Sequence, residues 1–170
     1  CRGRLPLNSI VRPHPQHMRW LETKIPPPVC MALLGIAALG VAHLLPALSF
    51  EFSLRTFAAV TLAFVGLALN IVPKLAFQRA GTTVNPLRPA LATSLVTSGI
   101  YRYTRNPMYL GHSAILLGWA LYLHNVAALV VVPAFMLYIT RFQLLSEELH
   151  LSARFTDAYA AFCRQSSRWL

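Results

Sequence analysis

SGIYRYTRNPMYLG runs from Ser98 to Gly111. Into these fourteen residues the chain places Arg102 and Arg105, the tyrosines 101, 103 and 109, the pair Asn106-Pro107, and Gly99 and Gly111. An apolar run follows at once. Asn106-Pro107 predicts a helix start: Asn is a favoured N-cap, and proline at the first helical position lacks an N–H that would have no partner anyway. The open N–H groups and positive dipole end of that helix, beside two arginines, make a place for a carboxylate or phosphate at a membrane surface. The same charges and aromatics also suit the plain flank of a transmembrane helix, where arginine and tyrosine sit at headgroup level.

Outward from that stretch the chain is apolar. Of 170 residues, 56% are hydrophobic and 12% are charged, with a mean hydropathy of +0.53. A soluble domain carries about 25% charged residues. The composition predicts an all-α integral membrane protein. Four apolar segments, Val29–Phe50, Thr56–Val72, Met108–Leu123 and Val126–Ile139, predict about four transmembrane helices. The first can cross a bilayer alone, whereas the others fall at or below the usual ~17–25 residues. Only His124-Asn125 separates the last two, which predicts a tight helical hairpin.

The net charge of +10 raises the question of nucleic acid, and its distribution answers it. Of the fifteen lysines and arginines, all but Arg55 fall on one side of a four-span arrangement. That split predicts cytoplasmic N- and C-termini by the positive-inside rule and makes a nucleic-acid partner an unnecessary explanation. Cys1, Cys30 and Cys163 have no disulfide or metal spacing, so reduced thiols and no metal are expected. The apolar run at Val29 is too long and too far in for a cleavable signal peptide.

Taken in order, residues 1–28 form a basic, proline-rich arm, and residues 29–170 read as one transmembrane domain. Asn70, near the end of the second span, suits either a ligand contact or a bond between helices. Gln78–Thr97 is too apolar for a linker and too broken for a span, so it reads as a structured loop on the membrane face. His112 lies a turn inside the third span and must face a partner or a cavity rather than lipid. The fourth span runs without proline or glycine into a polar helix, where Leu151, Phe155, Tyr159 and Phe162 form an amphipathic stripe. Glu147 and Glu148 stand out there in a basic setting, with Arg102, Arg105 and Arg141 as their natural partners. A glutamate for an ammonium and an arginine for a carboxylate is the pairing that a zwitterionic amino-acid group needs. Solvated ion pairs at a helix junction would use the same residues and be worth little.

GTTVNPLRP (81–89), LVTSGIYRYTRNPMYLG (95–111) and SEELHLSARFTDAYAAF (146–162) resemble the isoprenylcysteine carboxyl methyltransferase and phospholipid methyltransferase superfamily, in a bacterial-like form. The resemblance implies an integral membrane enzyme that uses S-adenosylmethionine, with its cofactor region in 81–111 and 141–162. It implies that Tyr101, Arg102, Arg105, Asn106, Pro107, Tyr109, Gly111, Glu147, Glu148 and Tyr159 form the cofactor pocket, with Arg105 and Glu148 closest to the chemistry. Asn106 stands where eukaryotic isoprenylcysteine enzymes usually have histidine, and Thr156 replaces a frequent glycine. The resemblance further implies methyl transfer by in-line displacement to a lipophilic acceptor, isoprenylcysteine carboxylate-like or phospholipid amine-like. The expected location is a bacterial inner membrane, or the endoplasmic reticulum in a eukaryote. A membrane reductase of sterol-reductase type using NADPH, and a non-catalytic membrane scaffold, are the alternative readings.

Overall fold

In the computed structural model the described residues are 25–79 and 97–169, and they are helical, with isolated bridges in place of strands. The arm up to residue 24, the block 81–89 and most of the Gln78–Thr97 connection lie outside them. Helix α1 spans Pro27–Leu44, α2 Arg55–Arg79, α3 Pro107–Tyr122, α4 Val131–Ile139 and α5 Leu145–Gln165. Pro26-Pro27-Pro28 starts α1 without loss, because prolines in a first turn remove only N–H groups that lack helical partners. The apolar run from Val29 was expected to stay helical to Phe50. Instead α1 ends at Leu44, where Pro46 cannot continue it, and Pro46–Leu48 forms a 3₁₀ turn.

The reverse happens in α2. Its apolar segment reads to Val72, yet the helix runs on through a buried Pro73 to Arg79. A proline inside a helix leaves a carbonyl unpaired, but membrane helices tolerate this where neighbours or local adjustments satisfy the backbone. The break after α3 falls where expected: the chain turns at His124 (φ 41°), and buried Asn125 donates to the Leu45 carbonyl at 2.8 Å. Phe50 N–H donates to the His124 carbonyl and Val126 N–H to the Leu48 carbonyl, which stitches the two connections at this end together.

Three stretches, Pro27–Leu44, Arg55–Arg79 and Ala127–Gln165, are long and apolar enough to cross a membrane. The third expected span, Met108–Leu123, is the sixteen-residue α3. At 1.5 Å per residue that is about 24 Å, short of the ~30 Å of a hydrocarbon core. Its environment also differs. Along α1 and α2 large apolar side chains such as Ile36, Phe57 and Phe64 point outward, whereas α3 is buried along much of its length and packs against α1, α2 and α4. Leu116, Ala120, Ala128, Phe135, Ile139 and Leu144 make the core there.

Small residues allow α2 and α3 to meet backbone to backbone. A Cβ on Gly66 would stand 2.5 Å from the Gly111 carbonyl oxygen, and one on Gly111 would stand 2.5 Å from Asn70 Nδ2 and 2.6 Å from the Gly66 oxygen. Asn70 donates to that same Gly66 carbonyl at 2.7 Å, so it stiffens its own helix at the contact. This gives Gly111, expected in the cofactor pocket, a packing role against α2.

Past α4 the helical path does not break but widens: Thr140–Leu144 is a π-helical turn that leads directly into α5. It turns Gln143 and Leu144 inward, and Gln143 Nε2 donates to the Ile25 carbonyl at 2.8 Å. The stripe Leu151, Phe155, Tyr159 and Phe162 is realised as a second apolar cluster, closed by Phe77 and Tyr101. Thr156, the position where the resembling sequences often have glycine, departs from helical geometry (φ 15°, ψ −90°) and kinks α5 between Phe155 and Tyr159.

Gly66→Ala and Gly111→Ala are each expected to lower stability by about 1–3 kcal/mol through overpacking of the α2–α3 contact. Gly40→Ala, whose added Cβ meets nothing within 4 Å, should leave stability unchanged or slightly raised. Thermal unfolding in detergent measures the difference, and equal midpoints for all three variants would contradict this account of the packing.

Candidate functional site

The segment before α3 is shaped by one glycine and one proline. Gly99 adopts φ 64°, a conformation that suits a residue without Cβ, and lets the chain enter the 3₁₀ turn Gly99–Arg102. Pro107 then opens α3, with Asn106 at the N-cap position as expected. The capping itself is not as expected. The Asn106 side chain bonds no N–H of the first turn; its Nδ2 donates to the Arg168 carbonyl at 2.8 Å, while its backbone N–H donates to Thr104 Oγ1. The amide is committed to the C-terminal segment, so the first turn of α3 keeps its N–H groups without a side-chain cap.

That C-terminal segment folds back onto the same place. Thr104 and Ser167 form a parallel bridge, with Arg105 N–H donating to the Ser167 carbonyl at 2.9 Å and Ser167 N–H to the Tyr103 carbonyl at 3.3 Å. Arg105 is the centre of the arrangement. Its Nη1 donates to the carbonyls of Ser166 (2.8 Å) and Cys163 (3.2 Å), and its Nη2 lies 3.8 Å from Glu148 Oε1. Its Nε is buried with no hydrogen-bond partner among the described residues. Glu148 in turn receives a two-pronged contact from Arg168, at 3.0 and 2.7 Å.

The neighbouring carboxylate faces elsewhere. Glu147 Oε1 accepts from the Tyr109 hydroxyl at 2.6 Å, which joins the first turn of α3 to the first turn of α5. Tyr101 packs edge-on against Phe77 at 5.5 Å and shares its cluster with Tyr159 and Phe162. Burial, and then the Glu147 charge, pushes the Tyr101 phenol above its ordinary pKa, so it stays a neutral hydroxyl. His112 is buried one turn further along α3; its Nδ1 stands 2.6 Å from the Met108 carbonyl and its ring stacks on Phe135. A carbonyl accepts but cannot donate, so Nδ1 carries the proton and Nε2 is the basic nitrogen.

The structure thus gathers Arg105, Asn106, Pro107, Tyr109, Glu147 and Glu148 around the start of α3, with Tyr101 and Tyr159 in the adjoining aromatic cluster. Arg102 is not gathered: it is exposed and joins neither ion pair to Glu148. Arg141, another expected partner of the glutamates, lies instead over the Phe142 ring at 5.4 Å. Arg168 was missed as a glutamate partner. Nothing local marks it, since it lies twenty positions past Glu148, beyond the Thr156 kink and the end of α5.

Chemically, an uncapped helix start and a half-buried guanidinium whose Nε has no partner among the described residues favour a carboxylate or phosphate, and two carboxylates close by favour a cation. A molecule carrying both charges fits this pairing better than a simple anion does.

The phospholipid methyltransferase family matches residues 54–158, which takes in α2, α3, α4 and α5 as far as the Thr156 kink. An uncharacterized protein of Haemophilus influenzae is 41% identical over 63 residues, which amount to 37% of this chain and the whole of that protein. No solved structure matches the chain.

The magnitudes decide what holds the C-terminal segment. The Arg168–Glu148 pair is partly exposed, and such pairs contribute up to about 1 kcal/mol. Hydrogen bonds from a charged group contribute about 1.5–3 kcal/mol each, and Arg105 makes two, both partly buried, so Arg105 is the stronger anchor. Arg105→Lys, which loses the planar fork, is expected to speed amide exchange at Ser167 more than Arg168→Gln does. Hydrogen exchange read at that amide would contradict the assignment if Arg168→Gln had the larger effect.

Proposed function

The chain belongs to the phospholipid methyltransferase family, and on that premise we propose that it transfers a methyl group from S-adenosylmethionine to a lipophilic acceptor held in the membrane. The observation that carries this reading is the joining of Arg105 and Glu148, from opposite ends of the helical hairpin, at the uncapped start of α3. S-adenosylmethionine carries a carboxylate and an ammonium on one carbon, and when bound it supplies a methyl group already activated by its sulfonium. The residues present fit it. Arg105, with its unused buried Nε and the N–H groups of the first turn of α3, holds the carboxylate. Glu148 receives the ammonium, with Arg168 keeping the carboxylate oriented until then. The Tyr101–Tyr159–Phe162 cluster offers aromatic faces for the cationic and adenosine parts.

The protein's remaining work is positioning and exclusion of water, since in-line displacement on such a donor needs no protein nucleophile. A carboxylate acceptor, as in isoprenylcysteine, reacts as it stands. An amine acceptor, as in a phospholipid headgroup, must first lose a proton, and the bases in reach of α3 are Glu147 and the Nε2 of His112. In this reading α3 serves as a fourth, short crossing sheltered by α1, α2 and α4, both termini face the cytoplasm, and the acceptor enters sideways from the bilayer.

Calorimetry on the detergent-purified protein tests the reading. S-adenosylmethionine or its demethylated product is expected to bind in the micromolar range, with Arg105→Ala and Glu148→Ala each weakening it by about tenfold or more. Folded wild-type protein that binds neither would overturn the proposal, and binding of NADPH in their place would favour a reductase.

A further inference from the structure

The end of the bundle opposite Arg105 holds a cleft of about 310 Å3, lined by His43, Ser49, Arg55, Tyr122 and His124 over an apolar floor that includes Leu39. Its volume lies at the small end of ligand sites, about 300–1,000 Å3. The walls are fixed. Asn125 is fully buried, donating to the Leu45 carbonyl and accepting from Ala127 N–H, and the Phe50 and Val126 amides tie the α1–α2 connection to the turn after α3. His124 is held in its left-handed conformation within this frame. The Tyr122 ring stacks on Trp119 at 5.8 Å, and Trp119 is pinned by a 2.9 Å bond from its indole N–H to the Gly35 carbonyl.

The cleft's chemistry is one-sided. Arg55 stands with its guanidinium 5.9 Å from the Tyr122 ring centre and forms no ion pair among the described residues. Among the described residues no carboxylate lines the cleft; Glu51, four residues before Arg55, is exposed and outside it. Arg55 is also the first residue of α2, where the helix dipole favours an anion. Two imidazoles, a serine hydroxyl and a tyrosine hydroxyl complete a set of hydrogen-bonding groups around the Arg55 guanidinium. Beside the cleft, Leu44, Leu54 and Phe57 extend apolar side chains outward, with 81, 63 and 71% of their surface exposed.

We propose that this cleft binds a phosphate-bearing group through Arg55, the two histidines and Ser49. Guanidinium matches phosphate by paired hydrogen bonds, and the rigid frame spares the ordering that such a contact otherwise costs. Two sources share this chemistry: the headgroup of an anionic lipid, whose chains would lie along Leu44, Leu54 and Phe57, and a free phosphate. The site is separate from the methyl-transfer centre, so it stands whether or not that reading does.

Calorimetry on the protein in a non-ionic detergent tests it, with dioctanoyl phosphatidic acid, dioctanoylglycerol and inorganic phosphate as probes. One molecule of dioctanoyl phosphatidic acid is expected to bind saturably, dioctanoylglycerol is not, and Arg55→Gln should weaken the binding roughly tenfold. Arg79→Gln, at the other end of the same helix, should leave this affinity unchanged. A His43→Ala/His124→Ala variant should weaken it independently of Arg55. Competition by inorganic phosphate at similar concentration would assign a free phosphate, and its absence a lipid headgroup. Equal binding of dioctanoylglycerol, or an affinity unaltered in Arg55→Gln, would overturn the proposal.

Discussion

Close approach of α2 and α3 at Gly66 and Gly111 sets the layout of the helical bundle. With backbone carbonyls occupying the space where Cβ atoms would be, α3 is held against α2 in one place, within the reach of a short helix. A sixteen-residue helix facing lipid on all sides would be too short to span comfortably and would leave polar ends in hydrocarbon. Surrounded by α1, α2 and α4, it instead becomes the axis of the bundle, and its two ends become the two places where polar chemistry collects.

At one of those ends the chain uses the segment after α5 as a wall. Arg105 spends Nη1 on main-chain carbonyls of Cys163 and Ser166, and Asn106 spends its amide on that of Arg168. Side chains that read as ligand-binding groups are thus also the groups that fold the C-terminal segment over the start of α3. Structure and candidate chemistry share the same atoms, so a substitution at Arg105 perturbs both, and a distant readout such as Ser167 exchange is needed to separate them.

Much of this was legible in the sequence, and what was not has physical reasons. Pro107 at the helix start, the hairpin break at His124-Asn125 and the stripe Leu151, Phe155, Tyr159 and Phe162 follow from local rules of turns and periodicity, and each stands where expected. The extension of α2 through Pro73 and the early end of α1 were not legible. The apolar run of the first segment passes over Pro46 and that of the second stops short of Pro73, so hydropathy misplaced both ends: α1 closes at Leu44 before Pro46, whereas α2 carries Pro73 inside it. Asn106 occupied the right position with the wrong partner, since capping rules know nothing of a carbonyl sixty-two residues away. Likewise Glu148 found Arg168 rather than Arg141, because the direction in which a side chain leaves a helix depends on the helical register upstream, which composition does not report.

That register is where the π turn at Thr140–Leu144 matters most. An α-helix advances about 100° per residue, and a π turn amounts to one residue slipped into that screw. Everything after it is phase-shifted relative to α4: the twin glutamates meet Tyr109 and Arg105 only because the slip is there. Loss of any one residue from this turn would keep the helix continuous while swinging Glu147 and Glu148 about a quarter-turn off target. Descendants of this gene should therefore accept changes of letter between α4 and α5 far more readily than changes of length, a pattern that a helix with no kink, loop or glycine in sight would otherwise conceal.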